Sequence, residues 1–312
     1  MKIESFFRLL IKKANQEGRY STANAYQCTL HSYQQFNKNT LVTFEELTQE
    51  HMKQYEQDMM KRGLKYNTIS LYFRMLRAVC NQAVKQGIAQ INTFDLFQHV
   101  FMGNKPTLKR AIKPAIISKL AEADLSNEPQ LAYCRDLFLL SVYLQGIPFI
   151  DLAYMRKSDI TGNRLIYFRH KTGSSIRVTI ESCGAKIMAK YAAQCKDSIY
   201  VLPIITEVGE KGHKQYCSAL RLYNKHLNQL SMQLNLGVKL SSYVARHTWA
   251  TTAKNIGIPI SIISTGMGHS SEKMTSIYLD SFEDKKTSDA NKKVIAAIRK
   301  ERKSEKDPIL IR

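Results

Sequence analysis

Apolar side chains recur every three or four positions in three segments of the first hundred residues. The stripes are Tyr26, Leu30, Tyr33 and Phe36; Met52, Tyr55 and Met59; and Tyr72, Met75, Leu76, Val79, Cys80 and Ala83. This period predicts three helices that each bury one face. Thr48 is expected to cap the second helix and Asn67 the third, because short polar side chains accept hydrogen bonds from the first free N–H groups. Gly63 and Gly87 are expected to end them.

After residue 115 the pattern predicts a mainly helical unit that contains one β-hairpin. Alternating apolar and polar residues predict strands at 164–168 and 175–180, joined across His170-Lys171-Thr172-Gly173. A last helix is expected over 292–302, with Val294, Ile295 and Ile298 on its apolar side. The other helices are expected at 115–123, 129–145, 149–156, 184–193, 213–234, 241–256, 259–266 and 272–280. The predicted fold class is therefore mainly α with a small β-hairpin or sheet.

A short basic connector separates the two patterns. Gly103, Pro106 and Pro114 interrupt the helical period there. The connector carries three cations that we expect to contact an anionic partner, namely Lys105, Lys109 and Arg110. The sequence thus predicts two domains and a basic tail, at residues 1–105, 106–290 and 291–312.

The composition predicts a soluble protein with an acidic polymer as its partner. The chain holds 46 basic and 26 acidic residues, for a net charge of +20. Residues 1–105 contribute 14 of the basic and 8 of the acidic residues, so both halves are positive. A hydrophobic share of 44% excludes a disordered chain. The charge alone is shared by several classes of protein, including ribosomal and membrane-surface proteins.

Further features of the sequence indicate the cellular compartment in which the protein is expected. The longest charge-free apolar run, Leu137 to Ile150, has 14 residues, whereas a membrane span needs about 18. The apolar stretch at the N-terminus is broken by Arg8, so no signal peptide is expected. The six cysteines show no Cys-x-x-Cys spacing, which favours free thiols in a reducing cytoplasm.

Three short segments carry the residues that point to chemistry. They are Tyr243-Val-Ala-Arg246-His247-Thr-Trp-Ala-Thr, Gly268-His269-Ser-Ser, and Tyr278. Arg246 and His269 are 23 positions apart, and Tyr278 follows nine positions after His269. An arginine can hold a phosphate through two parallel N–H groups. A tyrosine hydroxyl, with a reference pKa of about 10, becomes a nucleophile when neighbouring cations lower that pKa.

In this order and spacing the segments resemble the tyrosine recombinase (phage integrase) family. The family's second and third boxes read Arg-His-x-x-Ala-Thr and Leu-Gly-His-Ser, followed by Tyr, and here Met267 stands in the leucine place. Among the branches of the family, the Bacteroidetes branch has the sequences that look most like the segments Pro148-Phe-Ile-Asp-Leu and Gly266-Met-Gly-His-Ser-Ser-Glu-Lys. The resemblance implies a C-shaped clamp of two domains around DNA, with a helical SAM-like core-binding domain before the catalytic domain.

The resemblance also implies a role for each matching residue. Tyr278 would be the nucleophile, and Arg246 would hold the scissile phosphate. His269 would hydrogen-bond a non-bridging oxygen. Lys171, on the predicted hairpin turn, matches the family lysine that protonates the leaving 5′ oxygen.

Two positions depart from the family pattern. Pro148 stands where the first-box arginine is expected, and the nearby Gln145 is uncharged as well. Tyr243 stands at the place of the second-box histidine. Asp151 matches an acidic position that supports the site. Three arginines are considered as replacements for the missing one. Arg135 lies too far along its helix, whereas Arg169 and Arg177, which flank the hairpin, stay open as candidates.

The implied reaction is a transesterification of double-stranded DNA that needs neither a metal nor a cofactor, used for integration, excision or inversion. The chain has no P-loop and no acidic metal cluster. The implied partners are a tetramer of the protein on paired sites and accessory DNA-bending proteins, in the cytoplasm and with the nucleoid. Two alternatives are open: a DNA-binding protein of the same ancestry without strand exchange, and an enzyme of the type IB topoisomerase kind that relaxes DNA without exchanging partners.

Overall fold

The computed structural model describes residues 1–38, 40–107, 110–269, 271–276, 279, 292, 294 and 295. The chain divides into two compact units. The first comprises Met1–Leu108 together with Glu207–Lys214, and the second comprises Lys109–Thr206 together with Gln215–Arg312. Each unit buries its own apolar core.

The first unit is built from five helices, α1 (Ile3–Gln16), α2 (Tyr20–Phe36), α3 (Gln49–Lys61), α4 (Tyr66–Lys85) and α5 (Thr93–Phe97). The apolar stripes meet in its core, where Tyr33, Tyr55 and Leu76 are fully buried. The predicted cap of α3 is confirmed, because Thr48 Oγ1 accepts a hydrogen bond from the His51 N–H at 3.1 Å. Gly63 has a φ of +75°, so it ends that helix as expected of a glycine.

The predicted cap of α4 is wrong. The helix begins at Tyr66 after Lys65. The Asn67 side chain pairs instead with the backbone of Lys105, accepting its N–H at 2.7 Å and donating to its carbonyl at 2.9 Å. The residue that resembled a cap in the sequence therefore fastens the start of the connector to α4.

The second unit is mostly helical, and its helices follow the predicted ones with shifted ends. They are α6 (Pro114–Glu122), α7 (Pro129–Tyr143), α8 (Phe149–Ala153), α9 (Ser182–Tyr191), α10 (Gly209–Gln233), α11 (Ser242–Asn255), α12 (Ile260–Gly266) and α13 (Glu272–Ser276). Helix α10 begins in the Glu207–Lys214 segment that belongs to the first unit.

A three-stranded antiparallel sheet lies between α8 and α9 along the chain. Its strands are β1 (Ile160–Thr161), β2 (Arg164–Phe168) and β3 (Ser175–Thr179), in that order. Leu165 pairs with Val178, and Tyr167 pairs with Ile176. These four side chains are buried while their neighbours along each strand are exposed. The mainly helical fold class with a small hairpin sheet is confirmed. The two-residue strand β1 was not predicted, because it is too short to show an alternation.

Helix α7 forms the centre of the second core. Leu137, Phe138, Leu139 and Leu140 are all buried, so this helix is covered on every side. The first half of the long apolar run therefore lies in a core helix, and the run continues through the turn after α7 into the start of α8. None of the helices in the described part of the chain is long and apolar enough to cross a membrane. None of the six cysteines forms a disulfide bond.

Only part of the predicted last helix is described. Val294 and Ile295 are helical and exposed. Ile298, the third member of that apolar stripe, lies outside the described residues.

Candidate active site

Helix α11 carries Arg246 into the interior of the second unit, where only 2% of the residue is exposed. Its Nη1 donates to the Gly146 carbonyl at 2.9 Å and its Nη2 to the Met267 carbonyl at 2.5 Å. The first carbonyl belongs to the turn after α7 and the second to the turn after α12. Two fixed acceptors therefore set the plane of the guanidinium group.

The turn after α7 fits tightly against α11. Gly146 has a φ of +69°, and a Cβ placed on it would lie 2.9 Å from the Cα of Arg246. Only glycine allows both this backbone conformation and this approach. The Gly146 of the first box thus positions the backbone that holds Arg246.

His269 follows the end of α12. Gly268 has a φ of +62°, and the His269 N–H donates to the Ser264 carbonyl at 3.0 Å, which closes the helix end. The imidazole Nε2 lies 3.1 Å from Arg246 Nη2, and Nδ1 lies 2.9 Å from the hydroxyl oxygen of Thr275. Because α13 carries Thr275 and α11 carries Arg246, three helices meet at this ring.

The surroundings of His269 favour its neutral form. Burial, followed by the positive charges of Arg246, Arg169 and Lys171, lowers the pKa of the imidazole from 6.5 to about 4. The cations around this neutral ring would stabilise an anion bound beside it.

Arg169 approaches the same turn from the end of β2, and 6% of it is exposed. Its Nη1 donates to the Gly268 carbonyl at 3.0 Å. Its backbone closes the hairpin, since its carbonyl accepts the Gly173 N–H at 2.8 Å and its N–H donates to Ser174. The sequence left Arg169 as one of two candidates, and it is the buried one.

The hairpin turn presents Lys171 to solvent. Asp151 of α8 contacts the turn at His170. Its Oδ1 accepts the His170 N–H at 2.9 Å and lies 3.4 Å from His170 Nδ1. Asp151 is buried and touches the residue next to Lys171. It therefore fixes the base of the turn from which Lys171 projects.

Neither first-box position supplies a cation. Pro148 is the residue before α8 and shapes the start of that helix. Gln145 adopts a φ of +59°, and its Oε1 is buried with no hydrogen-bond partner among the described residues.

Tyr243 lies in the first turn of α11 and is 42% exposed. Its ring contacts the His247 ring edge to face, with centroids 5.1 Å apart. Among the described contacts, none joins Tyr243 to Arg246 or His269.

The remaining predicted residues are only partly described. Lys105 and Arg110 are exposed, and the Lys105 ammonium lies 4.9 Å from the centre of the Tyr66 ring. Lys109 and Tyr278 lie outside the described residues. On the C-terminal side of Tyr278, Leu279 is buried in a cluster with Ala250, Ala253, Ile263 and Met267.

Sequence reasoning missed Thr275. It is fully buried and contacts Nδ1 of His269. No local signal marks it, because a threonine in Lys-Met-Thr-Ser resembles any other helical threonine. Among the described residues, no group of three or more His, Cys, Asp or Glu is arranged to hold a metal ion.

Two family models match the chain. The Phage integrase SAM-like domain matches residues 3–100, and the Phage integrase family matches residues 113–285. A tyrosine recombinase of Pseudothermotoga lettingae is 23% identical over 260 residues, which cover 80% of this chain and 84% of that protein.

Solved structures share the fold. The Tn1549 transposon integrase, in complex with transposon right end DNA, has a TM-score of 0.63 at 14% identity. The match covers 95% of this chain and 100% of the integrase chain. A lambda integrase tetramer bound to a Holliday junction has a TM-score of 0.65 at 15% identity, covering 91% of this chain and 80% of its own. Because the second family model alone spans more than half of the sequence, from residue 113 to 285, the chain belongs to the phage integrase (tyrosine recombinase) family.

Proposed function

We propose that the protein is a site-specific DNA recombinase that cleaves and rejoins DNA through a 3′-phosphotyrosyl intermediate on Tyr278, for integration, excision or inversion. The observation that carries the proposal is the part-buried contact between Arg246 and His269, whose Nη2 and Nε2 atoms are 3.1 Å apart. Two groups 23 positions apart in sequence meet there: Arg246 can donate to a phosphate oxygen directly, and His269 can donate once its Nε2 carries a proton.

The pocket is suited to the transition state of phosphoryl transfer. Arg246 is already held by the Gly146 and Met267 carbonyls, so it need not reorganise when negative charge builds on the phosphate oxygens. In oxyanion holes, the loss of one such fixed donor costs about 2.7–4 kcal/mol of transition-state stabilisation.

Each reacting atom has a partner in this scheme. The Tyr278 oxygen attacks phosphorus and releases its proton to water while the bond from phosphorus to the 5′ oxygen breaks. Lys171, exposed at the hairpin tip, gives its proton to that 5′ oxygen. One phosphodiester replaces another, so the step needs no external energy. A 5′ hydroxyl from a second duplex reverses it and completes the exchange.

Leu279 supports the assignment of Tyr278. It belongs to the buried apolar cluster that also holds Met267, two residues before His269, and Ala250, on the helix of Arg246. The chain immediately after Tyr278 therefore returns to the two elements that hold the cation pocket.

The same proposal covers the partners. Both units would bind double-stranded DNA, with Lys105, Lys109 and Arg110 of the connector contacting phosphates. Four copies would assemble on paired sites, as the lambda integrase tetramer bound to a Holliday junction suggests. Accessory DNA-bending proteins would join this assembly. A chromosomal substrate would place the protein with the nucleoid in the cytoplasm.

The sequences of the first and third boxes also lead us to assign the protein to the Bacteroidetes-type branch of the family.

The test uses a nicked duplex that carries the protein's own site, obtained by mapping DNA junctions beside its gene. After cleavage the short 5′-hydroxyl strand diffuses away, which traps the covalent adduct for denaturing gel analysis. We expect an adduct with the unmutated protein in the presence of a chelator. Tyr278→Phe should bind the site and form none, because only the attacking oxygen is removed.

Tyr243→Phe is the matched control. It removes a hydroxyl from the tyrosine at the family histidine place and should still give the adduct. An adduct that persists in Tyr278→Phe and disappears in Tyr243→Phe would move the nucleophile to Tyr243.

A second function is favoured by Pro148, which places no donor where the family has an arginine. On that view the protein binds DNA without exchanging strands. Binding of the site with no adduct from the unmutated protein would support it and contradict the recombinase proposal.

A further inference from the structure

Arg169 is a buried cation for which the described part of the chain supplies no anion. Its Nη1 donates to the Gly268 carbonyl, and its Nε has no hydrogen-bond partner among the described residues. No described carboxylate lies within 4.0 Å of its guanidinium group. An uncompensated buried charge is costly, and proteins normally pair such a charge.

Asp151, the buried carboxylate of this region, contacts the hairpin and not Arg169, and its Oδ2 has no hydrogen-bond partner among the described residues. Asp151 accepts the His170 N–H through Oδ1 and lies beside the His170 ring. It holds the hairpin and leaves the Arg169 guanidinium group available for another anion.

Arg169 and Arg246 bind consecutive carbonyls. Arg246 donates to Met267 and Arg169 donates to Gly268, and His269 follows directly. The two guanidinium groups thus reach the same turn from different elements, one from α11 and one from the end of β2. Both positive charges lower the pKa of the His269 ring between these elements.

From this geometry we propose that Arg169 is a catalytic residue that binds the scissile phosphate in place of the missing first-box arginine. The inference rests on the proposed function, because it needs a DNA phosphate in the pocket. It answers the departure at Pro148: the second phosphate-binding arginine comes from the hairpin instead of from the turn before α8.

The other arginines considered from the sequence do not reach the pocket. Arg177 lies on β3 opposite Ile166, on the exposed face of the sheet. Arg135 pairs with Asp136 at 2.9 Å and donates to the Ala123 carbonyl at 2.6 Å. Of the three candidates, only Arg169 contacts the turn that carries His269.

The backbone allows this approach because residue 268 is a glycine. A Cβ on Gly268 would lie 2.3 Å from Cδ1 of Ile176 on β3 and 3.4 Å from Cδ of Arg169. The hairpin therefore packs directly on the turn after α12. It would bring two functional groups at once, with Arg169 on the phosphate and Lys171, two positions later, at the leaving oxygen.

The test separates phosphate binding from a structural role by changing the charge of the substrate. The nicked duplex is made with an ordinary scissile phosphate and with a methylphosphonate, in which an uncharged methyl group replaces one charged oxygen. On the ordinary substrate, Arg169→Ala should slow adduct formation by about 10²–10³-fold, as for loss of one fixed oxyanion donor. On the methylphosphonate, Arg169→Ala should slow adduct formation, relative to the unmutated protein, by a factor at least about tenfold smaller. The reason is that the phosphonate carries less negative charge for the arginine to stabilise.

Arg177→Ala is the matched control, since it removes the same charge from the same hairpin. It should have nearly equal effects on the two substrates. Thermal unfolding shows whether Arg169→Ala folds, and where it does not, Arg169→Lys is compared on the same pair of substrates. Free guanidinium ion should also restore cleavage to Arg169→Ala on the ordinary substrate.

A loss of equal size on both substrates, with no rescue by guanidinium, would overturn the assignment and leave Arg169 a structural residue. An unchanged rate in Arg169→Ala would overturn it as well. Absence of any adduct from the unmutated protein would instead contradict the recombinase proposal, so the two failures are distinguishable.

Discussion

Nη2 of Arg246 lies 3.1 Å from Nε2 of His269, and this contact determines the proton positions on the imidazole. A guanidinium group can only donate, so Nε2 must accept. The proton is then on Nδ1, which donates to the hydroxyl oxygen of Thr275 at 2.9 Å. The ring is therefore neutral and held at both ends, in agreement with its lowered pKa.

The first prediction concerns acid sensitivity. The pKa of His269 is 6.5 ordinarily and about 4 in the folded protein, so the unfolded chain takes up the proton first as the pH falls. The stabilisation linked to His269 is thus fully present above pH 6.5 and is lost as the pH falls toward about 4. In urea unfolding, the midpoint of the unmutated protein should fall more steeply over this window than that of His269→Gln.

The pKa values of His51 and His213 are lowered as well, so the comparison between the two proteins carries the prediction. His51→Gln serves as the control, because burial lowers the pKa of His51 as well but in the first unit. Parallel pH profiles for His269→Gln and the unmutated protein would show that folding leaves the pKa of His269 unchanged.

The second prediction compares two glycines that both have positive φ. Gly146 and Gly162 have φ values of +69° and +59°, but a Cβ would touch Arg246 Cα only at Gly146, whereas Gly162 has nothing within 4 Å. Gly162→Ala should cost only the backbone strain, about 1 kcal/mol, and Gly146→Ala about 2–4 kcal/mol in the free energy of unfolding. Chemical denaturation measures both, and equal costs would contradict the close approach.

Periodicity was enough to predict most helices. Stripes such as those ending at Met59 and Ala83 repeat at the helical period because the face they form is buried, and the structure buries both residues. Local capping was less predictable. Thr48 caps its helix, whereas Asn67 bonds to Lys105, 38 positions away, and a long-range partner leaves no trace in the local pattern.

The residues of the site also divide into those that the sequence predicted and those that it did not. The motif placed Arg246 and His269 in one pocket because family resemblance carries their spatial relation, and their contact is observed. The roles of Thr275 and Gly146 depend on which elements pack together, and a single sequence does not state that. Arg169 and Arg177 are equivalent by sequence, and only the pleat of the hairpin, which turns Arg177 outward, distinguishes them.

The third prediction addresses the first box. If Arg169 already binds the phosphate, an arginine added at Pro148 or Gln145 brings no gain. Pro148→Arg also disturbs the start of α8, and Gln145→Arg must fit beside Gly266, where the glutamine oxygen is 3.3 Å from the position of a Cβ. Both variants should cleave the nicked duplex at the same rate as the unmutated protein or more slowly. A tenfold or larger gain, which corresponds to about 1.4 kcal/mol, would show that the phosphate lacks a donor.

The last prediction is that Asp151 acts through Lys171. Asp151 contacts the backbone of His170, so its removal should release the hairpin tip and misplace the ammonium group of Lys171. Asp151→Ala should therefore slow cleavage in the unmutated background, yet cost little more once Lys171→Ala has already removed the general acid, a loss of about 10²–10⁴-fold. The coupling in this double-mutant cycle should amount to about 1–3 kcal/mol.

Asp159→Ala provides the comparison for that cycle. Asp159 also accepts a backbone N–H, that of Arg156 at 2.8 Å, but it lies just before the edge strand β1, and no contact among the described residues joins it to the hairpin turn. Its effect should multiply with that of Lys171→Ala without coupling, because distant sites are independent. A sulfur in place of the leaving 5′ oxygen needs no proton donor, so on that substrate Asp151→Ala and Lys171→Ala should both recover. Full multiplication of the Asp151 and Lys171 effects on the ordinary substrate would mean that the carboxylate supports the pocket by another route.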